Sequence, residues 1–388
     1  MPNVKSAPFI KTVIANKALS WTPRVSPHLS ELVPYPAGKP IEETERELGI
    51  QGVVKLASNE NPLGPSPLAI EAAAKELKQA HRYPDAGHYA LKHKLSQCLG
   101  VGFENICIGN GSNELIDLII RSFVQPSENV VAYQAAFVAY KLCAQLQGCG
   151  FKEAAMTADL NVSVDALLEQ VDSQTRVVFL ANPNNPTGGF LPNHEVRRLA
   201  QELDQRKVLL VLDYAYWEYV TDPSLPDALE VWRDYGNVIV LKTFSKIYGL
   251  AALRVGYAVA DQVVAHTLAK ARQPFNLTSI GLRAAEAALD DQDHVARSLQ
   301  MNAQGLVQLR EGLQKFDVHI FPSQGNFLFI DVKKPSAPLY SEFLQKGVIL
   351  RPVGNYGFKT HFRVTVGLPE ENEKFLEAAK TLLNARRS

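Results

Sequence analysis

A lysine among hydroxyl residues is the stretch of this sequence best equipped for chemistry. Lys246 follows Thr243 and Ser245, and Arg254 comes eight residues later. An apolar run at residues 238–241 precedes them and predicts a buried strand. Because open α/β sheets bind ligands at the carboxyl ends of their strands, we expect Lys246 to lie on a ligand-binding loop. Hydroxyls and an arginine suit a phosphate, and an amine beside them indicates pyridoxal phosphate (PLP) held as a Schiff base.

A carboxylate stands at the end of another predicted strand. Asp213 follows residues 208–212, an apolar run in which an unpaired charge would be costly. A protonated pyridine nitrogen is a suitable partner, because an anion there keeps the ring protonated and electron-withdrawing. Tyr216 is placed to donate to a phenolate oxygen of the same ring. Two alternatives stay open, a helix N-cap for Asp213 and a packing position for Tyr216.

Two further polar motifs follow predicted strands. Residues 109–112, GNGS, open a helix and offer N–H groups to an anion, although glycines also begin helices for steric reasons. Residues 182–188, NPNNPTG, hold two X-Pro bonds that aim an asparagine side chain, although a stiffened turn would look the same. Together with Asp213 and Lys246, these motifs predict a single ligand site at one edge of a sheet.

The elements that must position these motifs alternate between strand and helix. Strands are predicted at residues 106–108, 130–133, 176–181, 208–212 and 238–241, with helices between them. This pattern indicates a large domain with a mostly parallel sheet flanked by helices.

A long helical stretch at residues 277–316 separates this region from a second pattern. Short strands are predicted at 327–331, 348–350 and 362–366, with helices at 339–345 and 370–385. We therefore expect a smaller α/β C-terminal domain. The predicted division is a proline-rich arm and lead-in at 1–55, a PLP-binding domain at 56–280 and the small domain at 281–388.

Composition excludes several classes of partner. Lys plus Arg equals Asp plus Glu, 40 against 40, so nothing in the charge balance attracts nucleic acid or an anionic membrane. No apolar run approaches the ~18 residues of a membrane span. The four cysteines lack metal-site spacing, which predicts buried free thiols, a cytoplasmic protein and no metal.

Ten motifs in this chain resemble those of one known family. They are NENPLGPSP, RYPD, GNGSNE, NPNNPTG, DYAY, TFSK, RQPFN, GNF, GVILRP and RVTVG. The set resembles the histidinol-phosphate aminotransferase family, PLP-dependent enzymes of fold type I, from about residue 35 to the C-terminus. The resemblance is specific for the cofactor and the fold and less so for the substrate.

The resemblance implies roles for individual residues around PLP. Lys246 would carry the Schiff base and shuttle the proton, Asp213 would pair with the pyridinium nitrogen, and Asn185 and Tyr216 would bind the phenolate oxygen. Phe137 would stack on the ring. The residues implied for the PLP phosphate are Ser112, Asn113, Thr243, Ser245 and Arg254.

It also implies a partner chain and a substrate pocket. Tyr83 would reach the phosphate of a neighbouring subunit, which implies a homodimer with shared active sites. The residues implied to face the substrate anion are Tyr35, Asn59, Arg351 and Arg363. An arginine fork suits both a carboxylate and a phosphate, so one pocket would accept glutamate as amino donor and then a phosphorylated imidazole keto substrate.

Three departures from the family pattern leave the substrate open. Tyr214 stands where the family has glutamate, Ala135-Ala136 where it has Pro-Thr, and Asn113 where aspartate is common. The expected activity is transamination between histidinol phosphate and 2-oxoglutarate in histidine synthesis. The alternatives are an aromatic amino-acid aminotransferase and a phosphothreonine-type PLP decarboxylase. A PLP-domain transcription regulator is set aside, because the arm is too short for a DNA-binding module.

Overall fold

The computed structural model describes residues 26–30, 32–33, 38–157 and 159–385. The strands are β1 Val54–Lys55, β2 Ile106–Gly109, β3 Asn129–Tyr133, β4 Gly150–Ala154, β5 Thr175–Ala181, β6 Leu209–Asp213, β7 Val238–Thr243, β8 Gly256–Val259, β9 His319–Ile320, β10 Phe327–Asp331, β11 Val348–Ile349, β12 Arg351–Pro352 and β13 His361–Thr365. The helices are α1 Pro27–Ser30, α2 Ile41–Leu48, α3 Pro67–Glu76, α4 Tyr89–Leu99, α5 Gly111–Phe123, α6 Ala139–Gln147, α7 Val164–Gln170, α8 Asn193–Gln205, α9 Ala228–Asp234, α10 Gln262–Ala271, α11 Ser279–Ala288, α12 Gln292–Leu313, α13 Ser336–Gln345 and α14 Pro369–Leu382.

A seven-stranded sheet forms the centre of the molecule, in the order β2-β8-β7-β6-β5-β3-β4. Every strand is parallel to the others except β8, which is antiparallel to both β2 and β7. The predicted α/β architecture with a mostly parallel sheet is confirmed. Strands β4 and β8 are not predicted from the sequence. β4 is a half-exposed edge strand that includes Lys152 and Glu153, so it gives no apolar run, whereas β8 is a fully buried strand of four residues.

A second sheet lies in the C-terminal part of the chain, with antiparallel order β12-β13-β10-β9. It packs with α12, α13 and α14 around its own apolar cluster, which includes Leu309, Phe343 and Phe375. The parallel pair β1 and β11 joins the end of the predicted lead-in to this region. The lead-in also contains helix α2, which the sequence analysis missed.

The predicted helical stretch at 277–316 is two helices rather than one. The break falls between α11 and α12, where the Asp291 side chain accepts a hydrogen bond from His294 N–H and caps α12. Ala284, Ala285 and Ala288 of α11 belong to the apolar cluster of the large sheet, whereas Leu309 of α12 belongs to that of the small sheet. The chain therefore passes from one core to the other along α12.

Three of the cysteines are buried, as predicted, but Cys98 is exposed. It lies on the outer side of α4, where an apolar neighbour in the sequence does not imply a buried position. Burial raises the pKa of Cys107 and Cys149 to about 11 and that of Cys143 to about 12. Among the described residues there is no group of three or more histidine, cysteine or acidic side chains arranged for a metal. Within the same residues, no helix has the length and apolar character needed to cross a membrane.

Gly249 closes the turn that follows Lys246 and provides a test of this packing. Its φ is +68°, and a Cβ there would overlap the backbone carbonyl of Gly64. We expect Gly249→Ala to lower the free energy of unfolding by about 2–4 kcal/mol, because the neighbour is backbone and cannot rotate away. Urea unfolding followed by circular dichroism measures this. Gly236→Ala is the control, since nothing lies within 4 Å of its Cβ; equal losses in the two variants would contradict the prediction.

Candidate active site

The motifs at the strand ends meet in one cavity of about 310 Å³. Its walls include the loops that follow the carboxyl ends of the strands of the large sheet, and strands β12 and β13 of the small sheet. The residues of the sequence analysis that line it are Ser112, Asn113, Phe137, Asn185, Asp213, Tyr216, Thr243, Ser245, Lys246, Arg254, Arg351 and Arg363. Residues as far apart in sequence as Ser112 and Arg363 thus share one space, and those at the strand ends of the large sheet meet as expected for motifs at one edge of a parallel sheet.

Lys246 lies three residues beyond the end of β7, on a turn with its amine directed into the cavity. Its Nζ donates a hydrogen bond to the carbonyl of Ser58 at 3.3 Å and lies 5.6 Å from the ring centroid of Tyr216. Ser58 also lines the cavity, and the sequence analysis does not predict it. Because it contributes a backbone carbonyl, its side-chain type carries no signal.

Asp213 is the last residue of β6, and its carboxylate is held by two donors. Tyr140 O–H donates to Oδ2 at 2.7 Å, and Ala215 N–H donates to Oδ1 at 3.2 Å. Burial raises the pKa of Asp213, while these two hydrogen bonds and the charge of Lys246 oppose the rise. The short helix that follows begins without a side-chain cap, so the alternative N-cap role is not formed.

Tyr140 is a site residue that the sequence analysis missed. It is fully buried, stacks on Phe179 with ring centroids 4.5 Å apart, and reaches Asp213 from helix α6. An aromatic residue on an apolar helix face looks like a core position in sequence. Only the packing of α6 against the sheet brings its hydroxyl to the carboxylate.

Tyr216 and Asn185 are held together above β5 and β6. Asn185 Nδ2 donates to Tyr216 Oη at 3.3 Å, and Asn59 Nδ2 donates to the same oxygen at 2.9 Å. Arg363 Nη1 donates to Asn185 Oδ1 at 2.6 Å, which fixes the orientation of that amide. Burial raises the pKa of Tyr216, so its hydroxyl is neutral at ordinary pH and available as a donor.

The start of α5 and Arg254 form an arrangement suited to an anion. Gly111 has φ of +71°, and a Cβ there would overlap the Arg254 guanidinium, so the backbone and the cation approach as closely as only glycine permits. Arg254 Nη1 donates to Ser245 Oγ at 3.4 Å. Ser112 lies in the first turn of α5 beside this cation, where free N–H groups and the helix dipole also favour negative charge.

Two buried arginines stand on the opposite side of the cavity. Arg351 and Arg363 are partners in the antiparallel pairing of β12 and β13, and each is 8% exposed. Arg363 Nη2 also donates to the carbonyl of Ala57 at 2.6 Å. Two like charges on paired strands repel each other, so an anion between them is strongly favoured.

Of the three remaining predicted site residues, the two that the structure describes do not line this cavity. Asn59 is fully buried and contacts Tyr216 from behind. Tyr83 is 83% exposed, stacks on Phe275 with centroids 4.7 Å apart, and lines a second cavity that Arg254 also borders. Tyr35 lies outside the described residues.

The departures at Tyr214 and Ala135-Ala136 lie beside the site rather than in it. Tyr214 is fully buried, stacks on Trp217 and accepts a hydrogen bond from Asn182 at 3.4 Å. The carbonyl of Ala135 accepts from Asn184 at 3.0 Å. Both positions support the NPNNPTG loop without lining the cavity.

Comparison with known proteins places this geometry in context. The family described as aminotransferase class I and II matches residues 51–378. The chain is 45% identical over 362 residues to histidinol-phosphate aminotransferase 2 of Pseudomonas aeruginosa, covering 92% of this chain and 97% of that protein. It is 42% identical over 360 residues to the histidinol-phosphate aminotransferase of Bacillus subtilis, covering 93% and 100%. The crystal structure of histidinol-phosphate aminotransferase from Sinorhizobium meliloti in complex with pyridoxal-5′-phosphate has a TM-score of 0.84 at 28% identity, covering 94% of this chain and 100% of that one.

Proposed function

The chain belongs to the histidinol-phosphate aminotransferase family of class I and II aminotransferases, and we propose that it exchanges an amino group between histidinol phosphate and 2-oxoglutarate with PLP as cofactor. The observation that carries the substrate assignment is the buried pair Arg351 and Arg363, which faces the same cavity as Lys246. Guanidinium groups bind phosphate and carboxylate well, and both substrates carry such a group.

The donors around the cavity fit PLP. Asp213 is buried, and the hydrogen bonds that its carboxylate accepts from described residues come from neutral donors, so a protonated ring nitrogen is a suitable partner for it. Tyr216 and Asn185 would hold the phenolate oxygen, and Arg254 with Ser112 would hold the phosphate. Phe137 borders the cavity and would cover the ring. When bound, PLP supplies a ring that accepts the electron pair of the substrate's Cα–H bond.

The protein's own groups then have distinct tasks. Lys246 Nζ takes the proton from the substrate α-carbon, since it is the amine that the cavity directs toward the centre of the site. Although burial raises the pKa of Asp213, a protonated ring nitrogen beside it would favour its charged form, and in so buried a position that charge acts strongly on the neighbouring cation. Arg363 binds the substrate anion and fixes Asn185 at the same time. The Arg363 side chain thus couples substrate binding to the orientation of the Asn185 amide.

Histidinol phosphate is expected to be preferred over its dephosphorylated analogue. A buried charge-assisted contact left unmade costs on the order of 2–5 kcal/mol, which corresponds to tens to thousands-fold in kcat/KM. The test incubates the PLP-loaded enzyme in turn with histidinol phosphate, histidinol, phenylalanine and threonine phosphate, without a keto acid. Formation of the amine form of the cofactor and release of carbon dioxide are followed together.

The other two candidate functions predict different results in the same experiment. An aromatic aminotransferase would convert phenylalanine at least as fast as histidinol phosphate, because it needs no terminal phosphate. A decarboxylase would release carbon dioxide from threonine phosphate and leave the cofactor in its original form. A tenfold advantage for phenylalanine overturns the histidine-pathway assignment, and the loop support at Tyr214 and Ala135 would then be examined first.

We further propose the predicted homodimer, with Tyr83 serving the site of the partner subunit. Its exposed ring and its stacking on Phe275 support this assignment, because the hydroxyl of Tyr83 is accessible to a second chain. The division into a large domain at 56–280 and a small one at 281–388, and the cytoplasmic location, stay proposals of the same kind.

A further inference from the structure

The orientation of the Asn59 amide is fixed by its neighbours. Asn59 N–H donates to Thr365 Oγ1 at 2.9 Å, and Thr365 Oγ1 donates in turn to Asn59 Oδ1 at 3.0 Å. Asn326 Nδ2 donates to the Asn59 carbonyl at 3.1 Å and holds the backbone. Since Oδ1 is the acceptor in this arrangement, Nδ2 is the donor that lies 2.9 Å from Tyr216 Oη.

This arrangement determines which hydrogen bonds the Tyr216 hydroxyl can still make with a ligand. A phenol oxygen has two acceptor positions and one proton. Asn59 and Asn185 occupy both acceptor positions, and no described residue accepts the proton. The proton therefore remains available to a ligand in the cavity that Tyr216 lines. Donation into the oxygen also polarises the O–H bond and makes it a stronger donor.

We propose that Asn59 is a positioning residue. By donating to Tyr216 Oη, it leaves the Tyr216 proton to be donated to the phenolate oxygen of the cofactor, and it does not contact the substrate. The resemblance to the family had implied substrate contact, but Asn59 is fully buried and does not line the cavity. The proposal rests on the proposed function, since it requires PLP in front of Tyr216.

The hydrogen bonds between Thr365 and Asn59 also link strand β13, which carries Arg363, to Tyr216. Thr365 and Arg363 are two residues apart on β13, so their side chains lie on one face of the strand. Arg363 reaches Tyr216 through Asn185, and Thr365 reaches it through Asn59. A displacement of β13 therefore changes both donors to Tyr216 together.

Asn59→Gly is the first test, because glycine keeps the φ of +53° without strain and removes only the amide. We expect PLP to bind, kcat to fall by about tenfold, and KM for histidinol phosphate to change by less than about twofold. The visible absorbance of the loaded enzyme should titrate about 0.5–1 pH unit higher, because a less stabilised phenolate holds its shared proton more tightly. Asn59→Asp should shift it further, since a carboxylate accepts the Tyr216 proton itself.

Thr365 supplies the matched pair of variants. Thr365→Ser keeps the hydroxyl and should keep the wild-type titration, whereas Thr365→Val releases the amide and should shift it upward. If Asn59→Gly is too unstable by thermal melting, Asn59→Asp and Thr365→Val carry the comparison. If Asn59→Gly raises KM for histidinol phosphate and leaves the pH titration of the visible absorbance unshifted, Asn59 contacts the substrate. If the titration is unshifted in every variant and KM is unchanged, Asn59 has only a structural role. Either result overturns the proposal.

The wild-type assays separate this inference from the proposed function. If the wild type binds PLP but does not transaminate histidinol phosphate, the proposed substrate is wrong, and the spectral titrations still decide the role of Asn59. If the wild type does not bind PLP, both proposals fail.

Discussion

Replacing Lys246 with alanine is expected to lower kcat by about 10⁴-fold or more, because under the proposed function the variant lacks both the amine that attaches the cofactor and the base that moves the α-proton. Lys246 is the lysine that lines the cavity, 5.6 Å from the ring of Tyr216. Purified wild-type protein should be yellow, and the variant should lose the absorbance of lysine-bound PLP. Single-turnover kinetics with histidinol phosphate and a visible spectrum measure both effects.

Lys242→Ala is the matched control for this experiment. Lys242 lies on the strand that leads to Lys246, pairs with Glu218 at 3.0 Å and does not line the cavity. Its replacement should leave the visible spectrum unchanged. Near-normal turnover in Lys246→Ala, or equal losses in the two variants, would show that the amine of Lys246 is not the one that acts.

Asp213→Asn is expected to cut kcat by about 10² or more while PLP stays bound. The amide keeps the shape of the side chain but removes the charge, so a ring nitrogen beside it no longer holds its proton. Tyr140→Phe provides a graded comparison, because it removes one donor at 2.7 Å and leaves the charge in place. Its effect on kcat should be smaller than that of Asp213→Asn.

The readouts for Asp213 are kcat and the amount of PLP retained after gel filtration. Loss of PLP in proportion to activity would mean that the carboxylate serves binding rather than the reaction. Retained activity in Asp213→Asn would contradict any requirement for its charge. The Tyr140→Phe variant also tests the hydrogen bond from Tyr140 to Asp213. If this variant has the same kcat as the wild type, Tyr140 serves only in packing.

The strand-end motifs are the part of the site that follows from the sequence. Apolar runs and polar strand ends are local patterns, and a parallel sheet brings such ends to one edge whatever the details of packing. This is why Asp213, Lys246 and the residues at 109–112 and 182–188 could be assigned to one site from their positions in the chain. The motif set also identified the family, which the comparisons confirm.

Other features depended on contacts that leave no local trace. Asn59 and Thr365 are 306 positions apart in sequence, and Tyr140 and Asp213 are 73 apart. Such pairs are set by how helices and sheets pack, so residue type at one position predicts nothing about the other.

Three points therefore came from the packing of the folded chain. It placed the Tyr140 hydroxyl on the carboxylate of Asp213, and it turned the Asn59 amide toward the hydroxyl of Tyr216. It also set Arg351 opposite Arg363 across two strands, the first of which is too short to be predicted separately. The physical reason is shared: the sequence specifies which residues end each strand, whereas side-chain partners behind the cavity are fixed only when separate elements close on one another.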